Sequence, residues 1–384
     1  MTHALSRRAL LRGAPGFVGG LSLAGLPRFA AGQATGPASG PPSGQRAAAG
    51  VPARPAIRLA GNENPYGPGP AARAAIAAAT GDSWKYPIME EMAFKAQIAE
   101  REGLSPRHVL IGDGSSEILH IAALLAATAP GEVLTATPTF DLVAVQARAA
   151  GATVRELPLD AQMRFDLPAL RAAVTPQTRL IYVCNPNNPT GTMVSGAALR
   201  TFIAALPPDI TVLVDEAYLE LSADMATESM APLVHGGANV IVARTFSKLH
   251  GLAGLRIGYA LARPDLIERM TRLKLTSVSS LGLAAAAASY GDMEFQAASR
   301  SHIAEGVALT TAVLDELKRP YAPTRGNFVF FDTGGPAREF IGAMRGQGFS
   351  LGRPFPPYDS WCRVSMGTVE QMAAFAAALR GHFG

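Results

Sequence analysis

The sequence predicts an α/β fold with a mostly parallel central sheet that is covered by helices on both faces. From about residue 57, short apolar runs rich in β-branched residues alternate with segments of helical periodicity. Several of these runs lead directly into Gly-, Asn- or Ser-rich turns, as buried parallel strands do. Hydrophobic residues make up 48% of the 384 residues, which is enough for a large domain and a second, smaller one.

The predicted elements follow one another in a regular order. Strands are predicted over residues 109–112, 132–136, 153–157, 180–184, 210–215 and 240–245. Helices are predicted over residues 117–127, 140–150 and 167–174. The uncharged stretch 275–291 is rich in Ser and Ala and predicts a buried helix rather than a membrane span. Because ligands of such sheets bind where strands end, the residues at those ends are the candidates for a functional site.

The first 34 residues have the order of regions found in export signals. They contain no acidic residue, and their four arginines are Arg7, Arg8, Arg12 and Arg28. An uncharged stretch follows over residues 13–27. The paired arginines resemble a twin-arginine signal, so we expect export to the periplasm; the alternative is a cytoplasmic protein with a basic tail. Residues 35–56, rich in Pro, Gly, Ala and Ser, predict a low-complexity linker.

The formal net charge of +4 comes from the same N-terminal segment. The chain has 34 basic and 30 acidic residues, and the four arginines of the first 34 residues account for the difference. The remainder is formally neutral, so we expect no nucleic-acid partner and no stable membrane insertion. The two cysteines, Cys184 and Cys362, are too few for a disulfide framework or a cysteine zinc site.

Small residues and two hydroxyl groups follow the first predicted strand. Residues 112–117 read Gly-Asp-Gly-Ser-Ser-Glu and open a helix. The free N–H groups at a helix N-terminus favour an anion, and Ser115 and Ser116 can donate hydrogen bonds to it. The alternative is an ordinary helix cap in which one of these serines bonds the first turn. This segment alone leaves both interpretations open.

A rigid turn with neutral amides follows the predicted strand 180–184. Residues 185–191 read Asn-Pro-Asn-Asn-Pro-Thr-Gly, and the two prolines and the glycine fix the turn. An asparagine amide can donate to a phenolate oxygen without carrying charge. Because a turn needs only one such pair of residues, the run of seven indicates a binding role.

A carboxylate and a lysine end the next two strands. Asp215 closes an apolar strand, where a carboxylate is costly to bury unless it meets a cation or a proton donor such as a ring nitrogen; a helix-capping aspartate is the alternative. Lys248 directly follows strand 240–245, and a partly buried lysine near other cations can lose its proton and form a Schiff base. The other four lysines lie in helical or polar surroundings: Lys85, Lys95, Lys274 and Lys318.

Groups suited to a phosphate surround this lysine in the sequence. Thr245 and Ser247 add hydroxyl groups, and Arg256 adds a fixed positive charge. Together the strand ends supply an anion cradle, a neutral donor, an acid for a ring nitrogen and a Schiff-base lysine. Pyridoxal 5′-phosphate carries a phosphate, a phenolic oxygen, a pyridine nitrogen and an aldehyde, so we expect it as the cofactor.

From about Arg58 to the C-terminus, the chain resembles the fold-type I pyridoxal-phosphate-dependent aminotransferases of class I and II. Within them it is most similar to the histidinol-phosphate aminotransferases. The matching segments are 62–68, 85–87, 112–117, 185–191, 215–218, 247–248 with Arg256, 327–328 and 363–368. The resemblance implies an N-terminal arm over 57–75, a large cofactor-binding domain over 76–262 and a small α+β domain over 263–384.

The resemblance also implies a role for each matching residue. Lys248 carries the cofactor and moves a proton, Asp215 pairs with the pyridine nitrogen, and Tyr218 donates to the phenolic oxygen together with Asn188. The phosphate is held by Ser115, Ser116, Ser247 and Arg256, with Thr245 as a further candidate. Phe140 takes the ring-stacking position, where the family often has tyrosine. The residues implied to contact the substrate are Arg363, Arg353, Asn327 and Tyr66.

The implied activity is the transfer of an amino group between an amino-acid donor and an anionic oxo substrate. Tyr86 resembles the tyrosine that reaches the phosphate of a neighbouring subunit, which implies a homodimer with shared active sites. Amino-acid decarboxylases and β-lyases of the same fold share many of these motifs and stay as alternatives, and a non-catalytic pyridoxal-phosphate-binding module is a more remote one. Residues 112–117 lack the third glycine of a dinucleotide fingerprint, which argues against a Rossmann dehydrogenase.

Overall fold

The computed structural model describes residues 56–128, 131–222 and 224–384. The predicted export signal over 1–34, and the predicted linker up to residue 55, lie outside these ranges. Within them the strands are β1 (Ile57–Leu59), β2 (Val109–Asp113), β3 (Glu132–Thr137), β4 (Thr153–Pro158), β5 (Thr178–Cys184), β6 (Thr211–Asp215), β7 (Val240–Thr245), β8 (Ile257–Ala262), β9 (Phe328–Asp332), β10 (Phe349–Leu351) and β11 (Trp361–Ser365). The α-helices are α1 (Pro70–Ala79), α2 (Ile88–Glu102), α3 (Gly114–Ala127), α4 (Leu142–Ala149), α5 (Leu167–Ala172), α6 (Gly196–Ala204), α7 (Met225–Glu228), α8 (Ala231–His235), α9 (Pro264–Thr271), α10 (Ser280–Gly291), α11 (Met293–Glu316), α12 (Ala337–Gly346) and α13 (Val369–Phe383).

A seven-stranded sheet forms the centre of the larger part of the molecule, in the order β2-β8-β7-β6-β5-β3-β4. β8 is antiparallel to both of its neighbours, and the pairs among β4, β3, β5, β6 and β7 are all parallel. The carboxyl ends of β2, β5, β6 and β7 therefore meet at one edge of the sheet. This arrangement confirms the predicted α/β class with a mostly parallel sheet.

The helix that follows β2 starts three residues earlier than predicted, at Gly114. Asp113 takes the N-cap position without a side-chain cap bond, and its own N–H donates to the Glu117 carboxylate over 2.7 Å. Ser115 and Ser116 consequently lie within the first turn of α3. The alternative in which one of them caps this helix is wrong.

The helix predicted within 275–291 is α10, which begins at Ser280 because Ser279 caps it through a bond from the N–H of Gly282. Its buried side chains, among them Leu283 and Tyr290, join the core around the central sheet. Over the residues that the structure describes, no helix is both long and apolar enough to cross a membrane.

Buried apolar side chains form two large clusters. The first surrounds the central sheet and ends in sequence at Tyr290. The second contains Leu59 of β1 and then residues from Ile303 to Leu379, packed around the antiparallel pair of β9 and β11 and the parallel pair of β1 and β10. β1 thus ties the start of the described chain to its C-terminal part. The domain boundary that we place at residue 262 stays a prediction.

Candidate active site

A cavity of about 300 Å³ lies at the edge where β2, β5, β6 and β7 end. Eleven of the residues predicted from the sequence line it: Ser115, Ser116, Phe140, Asn188, Asp215, Tyr218, Thr245, Ser247, Lys248, Arg256 and Arg363. The rest of the lining is Gly61, Asn62, Glu63, Cys184, Ala217 and Ala253. The fold therefore brings these residues together in one cavity, although they span some 300 positions of the chain.

One corner of the cavity is rich in hydrogen-bond donors. The Arg256 guanidinium reaches the start of α3, where Nη2 donates to the Asp113 carbonyl over 3.1 Å and to Ser116 Oγ over 3.3 Å. Gly114 makes this approach possible, since its φ is +71° and a Cβ there would lie 2.2 Å from Arg256 Nη2. Arg256 itself has a left-handed backbone, with φ of 56°, that these bonds hold in place.

Two buried hydroxyl groups face the same corner from the end of β7. Thr245 Oγ1 lies 2.9 Å from Ser247 Oγ and accepts the Ser247 N–H over 3.1 Å. A Cβ at Gly258 of β8 would lie 2.2 Å from the backbone nitrogen of Ser115, so glycine lets the first turn of α3 pack directly on the sheet. The corner combines helix N–H groups, hydroxyls and a guanidinium, which is the donor set of a phosphate site.

Asp215 ends β6 deep in the cavity. Its carboxylate accepts the Ala217 N–H over 3.1 Å and the Tyr182 hydroxyl over 3.2 Å. Burial raises the pKa of this carboxyl to about 6, although the two hydrogen bonds and the charge of Lys248 act in the opposite direction. Asp215 is therefore a carboxylate that gains from a cationic partner inside the cavity.

Lys248 follows β7 and turns its amine into the same space. The Nζ atom lies 3.3 Å from the Gly61 carbonyl and 5.5 Å from the centre of the Tyr218 ring. Burial, with the positive charge of Arg363 added to it, lowers the pKa of this lysine from 10.5 to about 8. A lysine of this kind has a substantial neutral fraction near neutral pH and can act as a nucleophile.

A hydrogen-bonded chain joins Tyr218 to the N-terminal arm. Asn62 Nδ2 donates to the Tyr218 hydroxyl over 3.0 Å, and Ser365 Oγ donates to Asn62 Oδ1 over 2.7 Å. Tyr218 is buried, and burial raises its pKa well above 10, so the phenol is protonated and can donate. Asn327 holds the arm from the other side, since its Nδ2 donates to the Asn62 carbonyl over 2.9 Å.

Arg363 and Asn188 form a hydrogen-bonded pair that also lines the cavity. Arg363 Nη1 donates to Asn188 Oδ1, which leaves the Asn188 amide hydrogens for another acceptor, and Nη2 donates to the Ala60 carbonyl over 2.6 Å. The neighbouring asparagines serve the loop instead. Asn185 bonds Val194, and Asn187 bonds Pro138 and Thr190.

Four predicted residues lie outside the cavity of this chain, and their roles stay predictions. Tyr66 stacks on His302 at 4.2 Å and accepts a backbone N–H, and Asn327 contacts the arm rather than the cavity. Arg353 is ion-paired with Asp141. Tyr86 is 82% exposed, so any role of its hydroxyl in a site requires a second subunit.

Sequence reasoning missed Asn62, Glu63, Tyr182 and Cys184 as individual site residues. Glu63 and Asn62 belong to the arm motif, whose contact with the cavity depends on long-range packing. Tyr182 lies within β5, two residues from its end, and the alternation of side chains along a strand puts it on the face of Cys184. That alternation was the available indication. Burial raises the pKa of the Cys184 thiol well above its usual range, which favours the protonated thiol.

The chemistry of these groups fits pyridoxal 5′-phosphate. The donor-rich corner suits the phosphate, the Asp215 carboxylate suits a protonated pyridine nitrogen, and the Lys248 amine suits the aldehyde. Tyr218 and Asn188 can donate to the phenolic oxygen, and the Phe140 ring offers a stacking surface. The residues present supply one partner for each functional group of the cofactor.

The lowered pKa of Lys248 predicts the pH dependence of covalent cofactor attachment. Attachment needs the neutral amine, so its rate in cofactor-free protein should rise with pH and level off above about 8. Stopped-flow absorbance after mixing with pyridoxal 5′-phosphate measures this rate. The control is Nα-acetyl-lysine, whose side-chain amine is free, and its rate should have a midpoint at about pH 10.4. A midpoint near 10 in the protein would contradict the buried, positively charged environment described for Lys248.

Comparison with known proteins agrees with this site. The family described as aminotransferase class I and II matches residues 54–379. The chain is 38% identical over 328 residues to a histidinol-phosphate aminotransferase of Moorella thermoacetica, covering 84% of each chain. It is 39% identical over 321 residues to an aromatic amino acid aminotransferase of Mycobacteroides abscessus, covering 83% of this chain and 91% of the relative.

A solved structure agrees with the sequence relatives. The histidinol-phosphate aminotransferase of Sinorhizobium meliloti, determined in complex with pyridoxal 5′-phosphate, superposes with a TM-score of 0.80 at 30% identity, covering 85% of this chain and 90% of that one. The family match, the relatives and the cavity agree on the same chemistry. The chain therefore belongs to the class I and II aminotransferases, enzymes that use pyridoxal 5′-phosphate as cofactor.

Proposed function

We propose that this aminotransferase acts on amino acids and amino phosphates that carry a planar ring and an anionic group bound by Arg363. The observation that carries the proposal is the position of this guanidinium in the same cavity as the Lys248 amine. Arg363 is 9% exposed, and its Nε has no hydrogen-bond partner among the described residues. A buried cation with an unused donor is a site for an anion.

Aromatic side chains surround this cation and favour a ring-bearing substrate. The guanidinium carbon of Arg363 lies 5.1 Å from the ring centre of Phe355 and 5.7 Å from that of Phe328. Phe140 lines the cavity as well. The relatives named for histidinol phosphate and for aromatic amino acids act on molecules with a planar ring, which is consistent with such a wall.

The residues divide the work of transamination among them. When bound, the cofactor supplies an electron sink for charge that develops at the substrate Cα. Asp215 would hold a protonated ring nitrogen, since a buried carboxylate is stabilised by a cationic partner. Lys248, with a pKa of about 8, can accept a proton from the substrate Cα and return it. Arg363 holds the substrate anion, and the arm residues from Gly61 to Glu63 line the cavity.

Replacement of Arg363 tests the substrate proposal. Arg363→Ala should lower kcat/KM for phenylalanine and for histidinol phosphate, because the substrate anion loses its buried partner. The decrease should correspond to a loss of about 2–5 kcal/mol in transition-state binding. The kcat/KM of Arg363→Lys should lie between those of the wild type and Arg363→Ala, since lysine keeps the charge but lacks the planar guanidinium. Half-reactions that convert the bound cofactor to its amino form measure this. Arg380→Gln, which removes an exposed pair with Glu316, is the matched control. Equal kcat/KM in Arg363→Ala and the control would remove Arg363 from the substrate site.

We also propose that the active enzyme is a homodimer in which Tyr86 completes the phosphate corner of the other subunit. In support, large apolar side chains are exposed along one short stretch: Trp84, Tyr86, Ile88, Met89 and Met92 are 59–82% exposed. A surface of this kind favours burial in an interface. Tyr86 carries a hydroxyl group in the middle of it.

Subunit mixing tests this assembly. Lys248→Ala and Tyr86→Ala should each be nearly inactive as pure proteins. Mixed in equal amounts after subunit exchange, they should recover roughly a quarter of wild-type activity, because half of the dimers are hybrids with one intact site. Light scattering gives the oligomeric state. Absence of recovery in a mixture shown to contain hybrid dimers would contradict a shared site.

We further propose export through the twin-arginine-like segment, which lies outside the described residues. A reporter fused after residue 56 should reach the periplasm, and Arg7→Lys with Arg8→Lys should block it. Cell fractionation measures the distribution, and Arg28→Lys is the matched control outside the arginine pair. Cytoplasmic retention of the unaltered fusion would overturn the proposal.

A further inference from the structure

An ion pair joins the part of the protein around the central sheet to the C-terminal part, close to residues of the candidate active site. Arg353 Nη2 lies 2.8 Å from Asp141 Oδ2, although the residues are 212 positions apart. Asp141 directly precedes α4, beside the central sheet, and Arg353 follows β10 in the C-terminal part. Both side chains are more than half exposed.

The pair lies next to the residues that would hold a substrate. Phe140, the neighbour of Asp141, lines the cavity. The guanidinium carbons of Arg353 and Arg363 lie 4.8 Å and 5.1 Å from the ring centre of the same residue, Phe355. Burial lowers the pKa of Arg363, and the positive charge of Arg353 lowers it further, so the two cations are close enough to interact. A substrate whose anionic group is bound by Arg363 therefore has a second cation, Arg353, close to that group.

The Asp141 carboxylate faces this cation instead of its own helix. Asp141 stands at the N-cap position of α4 but makes no side-chain cap bond. Asp166 and Asp292 stand at the same position of α5 and α11, and both accept a helix N–H there. Asp113 and Asp224 cap their helices without a side-chain bond, as Asp141 does, and the Asp141 oxygen is available to contact Arg353.

We propose that Asp141 is a specificity-determining residue that disfavours substrates with a second anionic group. To bind Arg353, such a group must displace the Asp141 carboxylate and would then lie beside it, where the two negative charges repel each other. A substrate with one anionic group leaves the ion pair intact. An exposed pair is weak enough for a ligand to displace. Discrimination of this kind works by a repulsive element added to an attractive site. The inference rests on the proposed substrate site at Arg363.

Binding of unreactive carboxylates to the holoenzyme tests the inference. Glutarate carries two carboxylates and 3-phenylpropionate carries one, and calorimetry gives the Kd of each. Asp141→Asn should tighten glutarate binding relative to 3-phenylpropionate by about 2- to 5-fold, the range expected from removal of an exposed charge competitor. In the Arg353→Gln background, Asp141→Asn should produce no such change, because the contested cation is gone.

Two outcomes would overturn the inference: an equal change for both ligands in Asp141→Asn, or the same gain in preference for glutarate when Asp141→Asn is made in the Arg353→Gln background. Melting temperatures of the four proteins show that each is folded. Failure of the proposed function is measured separately: in that case neither phenylalanine nor histidinol phosphate converts the cofactor of the wild-type holoenzyme to its amino form. The comparison of the two Kd values does not depend on that conversion.

Discussion

The burial of opposite charges at one edge of the sheet is the constraint on which the active site depends. Asp215, Lys248 and Arg363 are all largely buried, and an isolated charge in such a place is strongly unfavourable. Burial raises the pKa of Asp215 and lowers the pKa of Lys248. The opposite charge of each residue reduces the pKa shift of the other. The result is a reactive amine and an available carboxylate in one cavity.

The parallel sheet makes this concentration of charge possible. Strands β5, β6 and β7 run in the same direction, so the loops that follow them are adjacent in space. Glycine completes the arrangement at two points, where Gly114 admits the Arg256 guanidinium and Gly258 admits the first turn of α3. The bond between Ser365 and Asn62 then joins the C-terminal part to the arm, and Arg363 lines the same cavity as Lys248.

Residues at strand ends were predictable from the sequence because local patterns mark them. An apolar run followed by Lys248 or Asp215 indicates both a strand and the place where it stops. Contacts formed across the molecule were not predictable in this way. The bond from Asn62 to Tyr218 and the pairing of Asp141 with Arg353 depend on how distant segments pack. The start of α3 was also misjudged, because the Glu117 side chain supports the backbone of Asp113, four residues ahead of the predicted helix.

The central claim is that one lysine of five carries the cofactor chemistry. Reduction of the holoenzyme with borohydride, followed by peptide mapping with mass spectrometry, tests it most directly. Pyridoxyl label should appear on the single peptide that contains Lys248 and should be absent from the Lys248→Ala protein. Label on a peptide containing Lys85, Lys95, Lys274 or Lys318 as the main product would contradict the account.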